Sequence, residues 1–364
     1  MKILALESSC DEFAAAVIAD GRDVLASVVA SQQDVHARYG GVVPEIAGRE
    51  HLRAVVPVLE QTLAQARLSW SAIDAIAVTQ GPGLGGSLLV GVNCAKALAW
   101  ALQKPCLPVH HIEGHLYANW LAPALDPHGG DAPPFPLICL VVSGGHTELL
   151  LMRDHGDFSR LGQTRDDAAG EAFDKVGRLL GLPFPGGPAI ERVARDADPS
   201  ASVSAGEARP PSYQDLPRAW LRGSWDFSFS GLKTAVLHRV RDDLGSELSQ
   251  PEIALLADRF QASVIDVLSA KTAEAAAEFR AEAVIVAGGV AANGPLRALL
   301  AERCPVPLRV PPPSLCTDNA AMIGAAAFHR FASAEGLVAA GPGAAELSWD
   351  LFSTSGDAVF SPGS

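Results

Sequence analysis

The chain has 364 residues, 48% of them hydrophobic, with a net charge of −13 and six cysteines that form no CxxC pair. This composition supports a large core divided between two lobes, and a reducing, cytoplasmic setting without cysteine-bound metal. The acidic balance excludes an all-over nucleic-acid-binding surface, and apolar runs broken before transmembrane length argue against a membrane partner. The opening run Met1–Leu6 gives way to Glu7 and Ser8 too early for a signal peptide. The first predicted element, "KILALESSCDEFAAAVIAD", is a strand, a polar turn and a second strand. "SAIDAIAVTQGPGLGGSLLVGVNCAKALAWAL" then reads as strand, glycine-rich turn and helix. "HHIEGHLYANWLA" has helical spacing, with Ile112, Leu116, Trp120 and Leu121 as packing residues.

The Pro/Gly-rich "LAPALDPHGGDAPPFP" marks a lobe crossover, after which "PLICLVVSGGHTELLLMRD" repeats the opening strand–turn–strand layout. "DADPSASVSAGEARPPSYQDLP" is an exposed excursion, and basic residues follow or overlap it (Arg209, Arg218, Arg222, Lys233, Arg239 and Arg241). They suit a phosphate-contacting patch and a solvated surface equally well. "AEAVIVAGGVAANGPLRALLAE" is again strand, glycine turn and helix, and "CTDNAAMIGAAAFHRF" is a further helix. The tail after Phe331 is Ala/Gly/Ser-rich and expected to be mobile at its end. The expected division is 1–130 for the first lobe, 131–332 for the second and 333–364 for the tail.

Two halves on one plan, each with a Gly- or Ser-rich turn, predict an α/β protein of two lobes. Each lobe carries a mixed sheet flanked by helices, the arrangement of the actin-like fold, with the active site in the interlobe cleft. Glycine turns allow backbone N–H groups to approach phosphate closely, and Ser143 and Thr147 add hydroxyls.

His111 and His115 share a helical face and can hold one metal ion. A metalloprotease would carry Glu directly after the first histidine. Here Glu113 lies roughly 200° around the helix from His111, remote from a shared metal. Gly114 weakens the helix and permits close approach of a ligand. A third ligand is available at Asp318, which equally fits a helix N-cap. Asp167, Glu171 and Asp174 share another helical face, most simply a solvated stripe.

In chain order, "ESSCDE", "HARYGGVVPEIAGREH", "TQGPGLGGSLLVG", "HHIEGH", "LVVSGGHTEL", "DDAAGEAFDKVGRLLGLPFPGGPAIE", "FSFSGLKTA", "GGVAAN" and "CTDNAAMIG" cover residues 3 to about 330. Together they resemble the bacterial tRNA adenosine threonylcarbamoyltransferase family, once described as O-sialoglycoprotein endopeptidases. Phe13, where the family often has Thr, the stretch Gly48-Arg49-Glu50 and the longer excursion depart from its pattern. The resemblance implies transfer of threonylcarbamoyl from threonylcarbamoyl-AMP to the exocyclic amine of the adenosine 3′ of the anticodon. The tRNAs concerned read codons beginning with A.

It further implies one divalent ion, iron (Fe2+) or zinc, on His111, His115 and Asp318. Donor contacts are implied at Val141, Val142, Ser143, Gly144 and Gly145, with Asp174, Gly187, Glu191 and Asn293 at the adenosine end. Asp11 and Glu12 are the candidates for accepting the amine proton. Implied partners are tRNA, a catalytically inactive paralogue and a small ATPase, with a homodimer as a further assembly. The competing readings are a non-catalytic scaffold paralogue, an ATP-dependent small-molecule kinase of the same fold and, least supported, a metalloprotease.

Overall fold

The computed structural model describes residues 1–121, 132–197, 215–244, 248–332 and 361–362. The expected crossover, excursion and mobile tail lie largely outside these residues. Strands β1 (Lys2–Glu7), β2 (Glu12–Ala19) and β3 (Asp23–Ser31) form an antiparallel meander. Beyond β1, β4 (Ala75–Gly81) and β5 (Cys106–His110) add in parallel, giving the order β3-β2-β1-β4-β5. The second sheet repeats the plan. Its meander is β6 (Leu137–Val142), β7 (Thr147–Asp154) and β8 (Asp157–Gln163), and β9 (Ala283–Ala287) and β10 (Leu308–Arg309) are parallel to β6. The order β8-β7-β6-β9-β10 matches the first sheet strand for strand, and residues 361–362 pair with the outer edge of β8.

Both faces of each sheet are covered, which is why the central strands read as unbroken apolar runs. In β1, Ile3 and Ala5 face the other sheet while Leu4 and Leu6 face outward into a separate core. In β6, Leu137, Cys139 and Val141 face inward, and Ile138, Leu140 and Val142 outward. This is the two-residue alternation of a strand written twice.

Helix α1 (Gln33–Ala37) precedes α2 (Pro44–Ala66) and α3 (Gly85–Leu102), which cover the outer face of the first sheet through Leu59, Leu63, Val92 and Ala95. By length and composition α3 would suffice to cross a membrane, but it packs on α2 and β4. Helix α4 (His111–Tyr117) follows β5 without an intervening loop. The outer face of the second sheet is covered by α5 (Ala169–Leu179), α6 (Gly186–Ala194), α7 (Ser230–His238), α8 (Gln250–Glu278) and α9 (Gly294–Arg303).

Last come α10 (Pro313–Cys316) and α11 (Ala320–Phe331). Although α11 follows the second sheet in sequence, it packs against α4, β1 and β2. Every residue from Ala320 to Ala327 is buried, so no side of this stretch is left for solvent. Helices α4 and α11 together fill the space between the inner faces of the two sheets.

Candidate metal centre and adjoining cavity

Helix α4 buries all seven of its residues, including both histidines. The predicted packing residues Ile112, Leu116, Trp120 and Leu121 are indeed in the core between the sheets. Gly114 does not face a ligand: a Cβ there would lie 2.6 Å from Ile323 Cδ1 of α11. The missing side chain lets the two helices approach, and this approach delivers Asp318 to the histidines. Asp318 is also released from capping duty, because Asn319 caps α11 by accepting the Met322 N–H at 3.0 Å.

The Asp318 Oδ1 atom lies 3.2 Å from His115 Nε2 and 3.6 Å from His111 Nε2. One donor atom from each residue falls within 4.8 Å of the others. The approach to His115 does not meet hydrogen-bond geometry, so both of its buried ring nitrogens lack a hydrogen-bonding partner among the described residues. Buried imidazole nitrogens normally find partners. Two imidazole nitrogens and a carboxylate converging on one point suit a divalent ion of the zinc or iron type. The residues therefore fit a metal. Glu113 points elsewhere, 3.4 Å from Arg330 on α11, and burial raises its carboxyl to about 6 despite that arginine. The protease arrangement is absent.

The first turn, between β1 and β2, borders the triad. Burial, then the negative charges of Asp318 and Asp11, push the Glu12 carboxyl up to about 8. A buried chain of hydrogen bonds holds this turn from behind. The Val43 N–H donates to His36 Nδ1 (3.3 Å), so His36 Nε2 donates to Gln32 Oε1 (3.1 Å). Gln32 Nε2 then donates to His51 Nδ1 (2.8 Å), and His51 Nε2 donates to the Cys10 carbonyl (3.0 Å). Gln32, His36 and His51 were not anticipated, because the links from Gln32 to His51 and from His51 to Cys10 span 19 and 41 residues.

On the other side, a cavity of about 420 Å³ opens between the β6–β7 turn, α5, α6 and the start of α9. Five of the expected donor residues line it together: Gly144, Asp174, Gly187, Glu191 and Asn293. Thr317, next to Asp318, lines it too, so cavity and triad adjoin. Gly144 and Gly145 are exposed, with nothing within 4 Å of where a Cβ would stand. The side chains of Val141 and Val142 are fully buried in opposite cores, leaving only their main chain to reach a ligand.

Ser143 and Thr147 serve the turn itself. Ser143 Oγ accepts the His146 N–H at 3.0 Å, and Thr147 Oγ1 accepts the Ala169 N–H at 2.8 Å. The acidic stripe divides as well: Lys175 bridges Asp167 and Glu171, while Asp174 accepts the Gly186 N–H at 2.7 Å. Asn293 is held by Gln261 at 2.8 Å and Glu191 at 3.3 Å. His146, also unforeseen, is held at about 4 by burial and then by the neighbouring His111 and His115. Of the basic cluster, Arg209 lies outside the described residues, Arg218 pairs with Asp266 at 3.0 Å, and Arg222 and Arg241 are exposed.

Equal strand order in two facing sheets, with the site between them, defines the actin-like class of two-lobed proteins. Full-length HypF in its phosphate- and nucleotide-bound form shares the fold, with a TM-score of 0.55 at 13% identity over 90% of this chain and 46% of that one. HypF of T. kodakarensis gives 0.55 at 14% over 94% and 50%. At such identities the likeness shows the fold alone.

Sequence carries further. Residues 23–325 match the family described as TsaD, tRNA N6-adenosine threonylcarbamoyltransferase. A relative of that name from Thermomicrobium roseum is 57% identical over 348 residues, covering 90% of this chain and 92% of the relative. Others from Dehalococcoides mccartyi (51%, covering 92% and 94%) and Geobacillus kaustophilus (53%, covering 89% and 90%) agree. The chain belongs to the tRNA N6-adenosine threonylcarbamoyltransferase family.

Proposed function

We propose that this chain transfers the threonylcarbamoyl group of threonylcarbamoyl-AMP to the exocyclic amine of the adenosine 3′ of the anticodon, in tRNAs reading codons that begin with A. The observation that carries this reading is the adjacency of cavity and triad through Thr317 and Asp318. An adenylate fits the cavity, with Asp174, Gly187, Glu191 and Asn293 at its adenosine end. The open backbone at Gly144 and Gly145 meets its phosphate. His111, His115 and Asp318 would hold iron or zinc, which supplies positive charge for binding and polarising the donor's oxygen atoms.

The donor is already activated, so no protein nucleophile is required. The amine nitrogen attacks the carbamoyl carbon, the bond from that carbon to the phosphate oxygen breaks, and AMP leaves with the electron pair. The amine proton passes to Asp11 or Glu12. The work left to the protein is orientation and charge stabilisation.

We further place the chain in the cytoplasm with an inactive paralogue and a small ATPase, or as a homodimer. With a net charge of −13, part of the tRNA contact is expected from a partner. A kinase reading leaves the triad without a role. The test is reconstitution with threonylcarbamoyl-AMP, unmodified tRNA and metal, followed by nucleoside mass spectrometry. A threonylcarbamoyl adduct is expected, and its absence with metal and partners present sinks the reading. In single turnover, Asp11→Asn with Glu12→Gln should slow transfer at least about tenfold; an unchanged rate removes both from proton transfer.

A further inference from the structure

Glu7, the last residue of β1, is fully buried with its carboxylate against the His111 imidazole. Its carboxylate accepts from three groups. The Ser9 N–H donates to Oε1 at 2.5 Å, and Thr79 Oγ1 and His111 Nδ1 both approach Oε2, the histidine at 3.1 Å. A carboxylate has only acceptor sites, so His111 must carry its proton on Nδ1. Its Nε2 faces Asp318 and His115, where a bound ion would take the place of a second proton. His115 has no equivalent support, since both of its nitrogens lack a hydrogen bond among the described residues.

We infer that Glu7 is the positioning residue of the metal centre: it fixes the tautomer and ring orientation of His111 and so sets the affinity of the triad. A carboxylate behind a ligating imidazole raises its basicity and holds its aim, and loss of such a partner weakens metal binding by about 10–100-fold. Thr79 on β4 and the Ser9 amide in turn fix the carboxylate, tying the histidine to two strands of the first sheet. The inference rests on the triad being a metal site.

Glu7→Gln tests it at nearly constant volume. Three donors surround the side chain, so an amide must turn its NH2 toward one of them. The Ser9 N–H can only donate, whereas Thr79 Oγ1 and a His111 that moves its proton to Nε2 can both accept, so the NH2 takes the Oε2 side and His111 loses its Nδ1–H acceptor. Zinc affinity is measured by chelator competition on the purified full chain, and the His111 tautomer by 15N NMR of the imidazoles. Expected are wild-type zinc binding, a roughly 10–100-fold loss in Glu7→Gln, and a shift of His111 away from the Nδ1–H form.

A merely structural Glu7 would lower the unfolding midpoint without moving the tautomer. Zinc affinity within twofold of wild type, or an Nδ1–H form retained in folded Glu7→Gln, overturns the inference. Should Glu7→Gln fail to fold, Glu7→Asp keeps the charge but withdraws the acceptor by one methylene, and an unchanged affinity there overturns it equally. Failure of the wild-type chain to bind zinc would instead remove the metal reading itself.

Discussion

Two neighbouring side chains, Asp318 and Asn319, divide two jobs that the sequence left open between them. Asn319 caps α11 and Asp318 completes the triad. Either side chain is chemically able to cap, so only the position of α4 decides. Glu7 was invisible for a related reason. It opens the polar run Glu7-Ser8-Ser9 at the end of β1, and its partner His111 is 104 residues away. The histidine pair, by contrast, was legible because both members lie on one short helix.

A second histidine pair, outside the triad, has a pH consequence. His155 and His329 stack at 4.2 Å, and Tyr117 Oη lies 3.1 Å from His155 Nδ1. Burial, then the facing His155, holds the His329 imidazole at about 4, against an ordinary value of 6.5. Below its ordinary value the unfolded chain takes a proton that the folded chain refuses, so stability is full above about pH 6.5 and falls toward pH 4. With solvent screening the loss is on the order of 1–2 kcal/mol. Urea unfolding of wild type and His329→Gln across that window should give a flatter curve for the variant. Parallel curves would assign the acid sensitivity to other groups.

Among the elements, α4 shows how far periodicity reaches. Its apolar spacing named the buried residues correctly, yet gave no hint that α11 would be their neighbour. Gly114 was read as room for a ligand, and the room is occupied by Ile323. Gly114→Val should therefore force α4 and α11 apart, at a cost of about 1–3 kcal/mol for overpacking. Zinc affinity should fall with it, since the same contact sets the distance from Asp318 to the histidines. Thermal unfolding and chelator competition check the two effects, and a variant with wild-type affinity would show that the triad tolerates the displacement.

At the scale of the whole molecule the duplication was the clearest sequence signal. Two strand–turn–strand runs, each followed later by strand, glycine turn and helix, became two sheets of equal strand order. The crossing of α11 to the first sheet was not legible, because its stretch from Ala320 to Ala327 is apolar all round and carries no face that states its destination. The triad joins residues of α4 to the link between α10, packed on the 289–292 turn, and α11, packed on the first sheet. Zinc binding only the native arrangement should raise the unfolding midpoint, by about 2.7 kcal/mol of added stability at a hundredfold excess over Kd. Asp318→Ala should abolish the rise, and an equal rise in that variant would place the zinc elsewhere.

The late position of α11 also gives the site a place in the order of synthesis. Asp318 leaves the ribosome more than 200 residues after His115, about 10–40 s later at roughly 5–20 residues per second. Until then the inner faces of both sheets lack the helix that fills them, and the two histidines have no carboxylate partner at Asp318. A growing chain can fold its first sheet and still hold an incomplete ligand set. Loading of the ion would then mark the finished molecule, and a fragment ending before Asp318 would leave the histidines without their third ligand.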